Sequence, residues 1–137
     1  MTKSKIEQIT AEQAWPLLAD DNAVLVDCRS MAEWAFVGIP DLSGINKDVI
    51  TIEWTRMNGQ PNPAFLPQLE AQVAKDKALF LICRAGPRSN AAAAVALDAG
   101  YAKVFNISDG FEGDRNADGQ RKSVNGWCHV GLPWNQD

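Results

Sequence analysis

The sequence predicts an α/β fold in which a parallel sheet carries helices on both faces. Short apolar runs typical of buried strands, such as Ala23–Asp27 and Ala78–Ile82, alternate with longer segments that begin with helix-start signals. The chain has 137 residues, of which 46% are hydrophobic and 22% charged, enough for one full core and too few for two ordinary domains. We therefore expect a single domain over residues 1–137.

Two capping boxes predict where the first two helices begin. Thr10 pairs with Gln13, and Ser30 pairs with Glu33, so a helix is expected after each pair. Residue 19 is the expected end of the first helix. The strands predicted along the chain are residues 5–9, Ala23–Asp27, Ala78–Ile82 and residues 104–107.

The middle of the chain gives weaker signals. Residues 38–59 are predicted to be irregular, with a weak strand pattern at 49–52. Asn62 and Pro63 predict the start of a helix, with Asn62 as the cap and Pro63 in the first turn.

A short loop between the 78–82 strand and an alanine-rich helix ending near residue 98 is the candidate site. Its residues are Cys83, Arg84, Ala85, Gly86, Pro87, Arg88 and Ser89. Gly86 allows a tight reversal, Pro87 fits the first helical turn, and Ser89 is expected to bond the free amides of that turn. Open parallel sheets bind ligands at this carboxyl edge, so the chemistry is expected here.

The loop is expected to hold Cys83 as a thiolate. Backbone amides and the positive end of the following helix should point at the sulfur, and Arg84 and Arg88 add positive charge. With these groups a histidine base is not required, and the single histidine, His129, lies in a distant tail segment.

The loop resembles the active-site loop of the rhodanese family of sulfurtransferases. Residues 26–34 followed by Gly38-Ile39-Pro40 resemble the amino-terminal signature of that family, and Gly110-Phe111-Glu112-Gly113 resembles its carboxyl-terminal one. The tail, with Asn125-Gly126-Trp127 and Gly131-Leu132-Pro133-Trp134, is similar to the ending of single-domain members. Two stretches depart from the family pattern: Val37-Gly38-Ile39-Pro40 stands where Gly-His-Ile-Pro is usual, and Asp109-Gly110 stands where Gly-Gly is frequent.

The resemblance implies a rhodanese-like sheet and a sulfur-transfer reaction. A donor such as thiosulfate would give its sulfane sulfur to Cys83, and the persulfide would pass it to cyanide or to a thiol, including a protein thiol. Arg84 and Arg88 would bind the anionic donor and stabilise the loop, while the loop amides would stabilise the persulfide. Asp27 with Arg29 would support the loop through ionic hydrogen bonds. Trp54 would lie at the pocket rim, or would simply cover part of the core.

Two other functions use a similar loop. Cysteine phosphatases and arsenate reductases also place a thiolate at a helix start, but phosphatase loops have five residues between Cys and Arg, and this loop has four. A rhodanese-like sulfur-carrier or sensor module is the second alternative.

Composition excludes several other partners. A net charge of −4 without a basic stripe argues against nucleic acid. The first eight residues predict neither a signal peptide nor a membrane anchor, so a cytoplasmic protein is expected. Residues 114–119 resemble a calcium loop only superficially, because Arg115 stands among the ligand positions; no metal or cofactor is expected.

The two remaining thiols, Cys28 and Cys128, are expected to be small packing residues. An alternative stays open for Cys28. It follows Asp27 at a strand end, so it could approach Cys83 and resolve a persulfide as a disulfide.

Overall fold

The computed structural model describes residues 5–56 and 58–136, which contain seven strands. In chain order the strands are β1 (Glu7–Ile9), β2 (Ala23–Asp27), β3 (Ile39–Pro40), β4 (Ile50–Thr51), β5 (Ala78–Ile82), β6 (Lys103–Ile107) and β7 (Trp134–Asn135). Five of them form a parallel sheet in the order β1-β6-β5-β2-β4, and β3 pairs with β7 in a small antiparallel ribbon. The parallel sheet is confirmed.

Four α-helices connect these strands. They are α1 (Ala11–Leu18), α2 (Met31–Phe36), α3 (Phe65–Gln72) and α4 (Pro87–Asp98). Both predicted capping boxes are formed, at Thr10 before α1 and at Ser30 before α2. Among the residues that the structure describes, no helix is long and apolar enough to cross a membrane.

The sheet separates two hydrophobic cores. Side chains of β5 alternate between them, because successive residues of a strand point to opposite faces: Leu79 and Leu81 belong to one core, Phe80 and Ile82 to the other. The first core takes its helical side chains from α3 and α4, chiefly Phe65, Leu69, Ala92, Ala93 and Ala96. The second core takes Ala14 and Leu18 from α1, and Phe111 and Trp127 from the carboxyl-terminal segment. Helices therefore cover both faces, as predicted.

The chain departs from expectation at α3. Asn62 was expected to cap the helix, but α3 begins at Phe65 and its N-cap is Ala64. The Asn62 side chain is used in the preceding turn instead, where its Oδ1 accepts from the Ala64 N–H at 3.1 Å and its Nδ2 donates to the Glu53 carbonyl at 2.8 Å. The weak pattern at 49–52 corresponds to β4, and the ribbon of β3 with β7 has no counterpart in the sequence analysis. The first eight residues were the basis for expecting neither a signal peptide nor a membrane anchor. Residues 1–4 of these fall outside the described residues.

Candidate active site

Cys83 follows the last residue of β5 and is 1% exposed. Its Sγ accepts the Gly86 N–H at 3.2 Å, and the Ser89 hydroxyl lies 3.2 Å from the same atom. Gly86 has φ +112°, and a side chain there would collide with the Ser108 carbonyl oxygen, so only glycine fits this turn. The loop thus aims one amide and one hydroxyl at the sulfur, fewer amides than the sequence predicted.

Ser89 does not cap α4, so this prediction is wrong. The N-cap is Gly86, without a side-chain cap bond, and Ser89 is fully buried behind the loop. Its hydroxyl lies 2.5 Å from Asn106 Oδ1 and 3.0 Å from the Gly86 carbonyl oxygen, besides the Cys83 Sγ. Because one hydroxyl hydrogen serves three acceptors, the Cys83 sulfur competes with Asn106 for it.

Asn106 is a site residue that the sequence analysis missed. It is 2% exposed on β6, and its Nδ2 donates to Gln8 Oε1 at 2.8 Å. Asn106 therefore orients Ser89 from the neighbouring strand. The available signal was a polar residue between apolar neighbours, Phe105 and Ile107, since buried polar groups are retained where they find hydrogen-bond partners.

The Gly110–Gly113 signature holds the start of the loop through backbone hydrogen bonds. The Phe111 N–H donates to the Cys83 carbonyl at 2.8 Å, and those of Glu112 and Gly113 donate to the Arg84 carbonyl at 3.0 and 3.1 Å. Gly110 has φ +69°, and a side chain there would collide with that Arg84 carbonyl. This signature therefore fixes the backbone of the two residues that begin the loop.

Arg88 is held by Glu33, a partner that the sequence analysis assigned only to a capping box. The guanidinium donates NH1 to Glu33 Oε1 at 2.6 Å and NH2 to Oε2 at 2.9 Å, a bidentate pair. Burial alone would raise the pKa of Glu33, but hydrogen bonds from Arg88 and Ser30 outweigh it and lower that pKa to about 2. The Glu33 carboxylate in turn raises the pKa of Arg88. Arg88 thus ties the loop to α2, whereas Arg84 is exposed at the surface.

Asp27 and Arg29 form a fully buried pair beside the site. Asp27 accepts hydrogen bonds from the Arg29 backbone N–H, Nε and NH2 at 2.6 to 3.1 Å. Among the described residues the Asp27 carboxylate bonds only Arg29, so the expected direct hydrogen bonds to the loop are not formed. The contact is indirect, since the Arg29 guanidinium lies 4.2 Å from the ring centroid of Phe111, whose amide holds Cys83.

Trp54 is half-buried and covers the first core. Its ring lies edge-on to Phe65 at 5.2 Å between centroids, and its backbone N–H donates to the Cys28 carbonyl at 3.1 Å. These contacts give Trp54 a packing role. A place at the rim of a substrate pocket stays a prediction.

Both departures from the family pattern adjoin the carboxyl-terminal tail. Gly38 has φ +117°, and a Cβ there would lie 2.6 Å from the Asn135 carbonyl oxygen and 2.8 Å from the Trp134 ring. Asp109 is 7% exposed, and its carboxylate accepts the Ala11 N–H at 2.8 Å and the Gly126 N–H at 3.0 Å. The tail packs where a histidine side chain would otherwise stand, and Asp109 fastens it to the start of α1.

Comparison with known proteins places residues 6–137 in one family. The family model described as STR4 middle domain matches residues 6–137. The chain is similar to the uncharacterised protein RC0915 of Rickettsia conorii, at 39% identity over 94% of this chain and 97% of that protein. It is also similar to a sulfurtransferase of Allochromatium vinosum, at 29% identity over 93% of this chain and 94% of that protein.

Further relatives support the same fold. The crystal structure of Rv0390 from M. tuberculosis matches with a TM-score of 0.90 and 44% identity, covering 98% of this chain and all of that one. The rhodanese-like domain-containing protein 4 of Arabidopsis thaliana is 30% identical over 91% of this chain, which spans 25% of that longer protein. The chain therefore belongs to the STR4 middle-domain family and has the rhodanese-like fold.

Proposed function

We propose that this protein is a sulfurtransferase that carries sulfane sulfur on Cys83. The observation that carries the proposal is the Cys83 Sγ held between the Gly86 amide and the Ser89 hydroxyl, at the start of α4. An amide, a hydroxyl and a helix N-terminus all stabilise negative charge on sulfur. The similarity to a sulfurtransferase over nearly the whole chain supports the same reaction class.

The first half-reaction loads Cys83. The thiolate attacks the outer sulfur of a donor such as thiosulfate, a sulfur–sulfur bond forms at Cys83, and sulfite leaves with the electron pair of the broken bond. Arg84, exposed next to the nucleophile, attracts the anionic donor. Arg88 has a different role, because Glu33 occupies its guanidinium and the pair holds the loop in position.

The second half-reaction unloads the persulfide. Cyanide or a thiol, free or on a partner protein, attacks the terminal sulfur, and Cys83 leaves as the thiolate that the loop already stabilises. Since the Cys83 residue is 1% exposed, both substrates need the side chains around the loop to move before they reach the sulfur. A reducing compartment such as the cytoplasm suits this chemistry, because all three cysteines are free thiols.

The structure favours sulfur over phosphate chemistry. A phosphatase loop needs an arginine that is free to clamp an oxyanion, and here both terminal nitrogens of Arg88 bond Glu33. The four-residue spacing between Cys83 and Arg88 points the same way.

The experiment compares two reactions of the same protein. We expect the wild type to transfer sulfur from thiosulfate to cyanide and to show negligible hydrolysis of an aryl phosphate. Cys83→Ser should abolish the transfer while circular dichroism stays that of the wild type. Cys128→Ser, which removes a half-buried thiol of the other core, is the matched control and should keep the activity. Turnover that survives in Cys83→Ser, or faster Cys83-dependent phosphate hydrolysis, would sink the proposal.

A further inference from the structure

Cys28 is a buried thiol that the proposed reaction does not use. It follows Asp27, the last residue of β2, and is 0% exposed. Its Sγ donates to the Ile82 carbonyl at 3.3 Å. Ile82 directly precedes Cys83, so this bond directs Cys28 towards the candidate site.

The register of the sheet places Cys28 beside Cys83. In the β2–β5 pair, Asp27 is the partner of Ile82, and the Cys28 N–H continues the ladder with a 2.9 Å bond to the Ile82 carbonyl. The next residues along the two strands are Cys28 and Cys83, and both belong to the first hydrophobic core, on the same side of the sheet. Neighbouring strands lie about 4.8 Å apart, within the roughly 4.4 to 6.8 Å between Cα atoms that a disulfide spans.

The surroundings of Cys28 make it a slow nucleophile. Burial, followed by the nearby Cys83, raises its pKa well above the ordinary value, and Arg88 only partly opposes this. Cys28 therefore stays a neutral thiol in most molecules, and a fast acceptor at Cys83 outcompetes it. Cys28 can still react with a Cys83 persulfide when no acceptor arrives, because two groups held side by side react without having to meet in solution.

We propose that Cys28 is a resolving thiol that discharges the Cys83 persulfide when no acceptor takes its sulfur. The Cys28 sulfur attacks the Cys83 sulfur, forming a Cys28–Cys83 disulfide, and the terminal sulfur leaves with the electron pair as hydrosulfide, while the Cys28 proton goes to solvent. The two cysteine sulfurs are oxidised and the sulfane sulfur is reduced to sulfide, so no external oxidant is needed. This activity rests on the proposed function, since the persulfide must form first.

The test follows one load of sulfur in the absence of an acceptor. The wild type and Cys28→Ser are treated with thiosulfate, or with inorganic polysulfide as a second loader, and then freed of donor. Free sulfide is measured over time, and non-reducing peptide mass spectrometry looks for a Cys28–Cys83 cross-link. We expect the wild type to release about one sulfide per cross-link formed, and the Cys83 persulfide of Cys28→Ser to last at least about tenfold longer.

Further variants separate the possible failures. In Cys28→Ser, the serine hydroxyl keeps the hydrogen bond to the Ile82 carbonyl. Cys28→Ala tests the same loss of the thiol in case a buried hydroxyl disturbs the fold. Cys128→Ser is the control and should form the Cys28–Cys83 cross-link like the wild type. A wild-type persulfide that forms but lasts as long as in both Cys28 variants, with no cross-link, would overturn the resolving role and leave the proposed function standing. If neither thiosulfate nor polysulfide adds sulfur to Cys83, both the resolving role of Cys28 and the proposed function are overturned.

Discussion

Two arginine–carboxylate pairs lie beside the candidate site, and they differ in burial and in what they connect. Asp27 and Arg29 are two residues apart and fully buried, and they stiffen the turn that follows β2. Glu33 and Arg88 are 55 residues apart, with side chains 21% and 28% exposed, and they join α2 to the first turn of α4. The buried pair stabilises the fold around the site, whereas the partly exposed pair holds the loop itself.

The two pairs show that the position of a carboxylate in a sequence motif does not decide which residue its side chain bonds. Asp27 lies at the strand end where a supporting carboxylate was expected, yet its oxygens are taken up by its near neighbour Arg29. Glu33 lies six residues further along, in the first turn of α2, and its carboxylate bonds Arg88. Stability and activity should therefore separate when each pair is broken.

The largest effect is expected from breaking the buried pair. Asp27→Asn leaves the Arg29 guanidinium without its counter-charge in a site with no access to water, and losing one partner of a buried pair typically costs about 3 to 5 kcal/mol. We expect a loss of that size in the free energy of unfolding, measured by urea denaturation. A loss below about 1 kcal/mol would show that solvent reaches this pair.

Breaking the second pair should affect activity more than the fold. Glu33→Gln removes the charge that holds Arg88, so we expect a stability loss of about 1 to 3 kcal/mol and a fall in sulfur transfer of about tenfold. The matched control is Glu70→Gln, which breaks the exposed pair with Lys75 near the carboxyl end of α3 and should change stability by less than about 1 kcal/mol. Activity that is lost equally in both variants would remove the special role of Glu33.

The pH dependence of the second pair gives a smaller but sharper effect. The pKa of Glu33 falls from its usual 4.5 to about 2, so the ion pair contributes fully above the unfolded value and is lost as the pH falls through the folded value. The stability difference between wild type and Glu33→Gln should stay constant from about pH 5 to 8 and shrink below about pH 4.5. A difference that disappears above that pH would mean that the pair is not formed in solution.

The sequence predicted the sheet and the loop between β5 and α4 because their signals are local. β2 and β5 have the predicted bounds, and both capping boxes are formed, since a strand pattern or a helix start depends on residues a few positions apart. The single-domain prediction for residues 1–137 stays a prediction.

The missed features depend on contacts between distant parts of the chain. Arg88 with Glu33, and Ser89 with Asn106, are 55 and 17 residues apart, and neither partner has a local pattern that reports the other. The tail is a second example, because only the contact with Trp134 explains the glycine at position 38, and only the hydrogen bond from Gly126 explains the carboxylate at position 109. The loop residues could thus be predicted from the sequence, whereas the residues that position them could not.

The most direct test of the account is whether sulfur arrives at Cys83. The purified, reduced protein is incubated with thiosulfate, digested under non-reducing conditions and analysed by mass spectrometry, with quantitation of the sulfite released. We predict one added sulfur atom on the Cys83 peptide, or its Cys28–Cys83 disulfide product, together with one sulfite per protein and no added sulfur in Cys83→Ser. Added sulfur that appears on Cys128 instead, or sulfite release that persists in Cys83→Ser, would contradict the account.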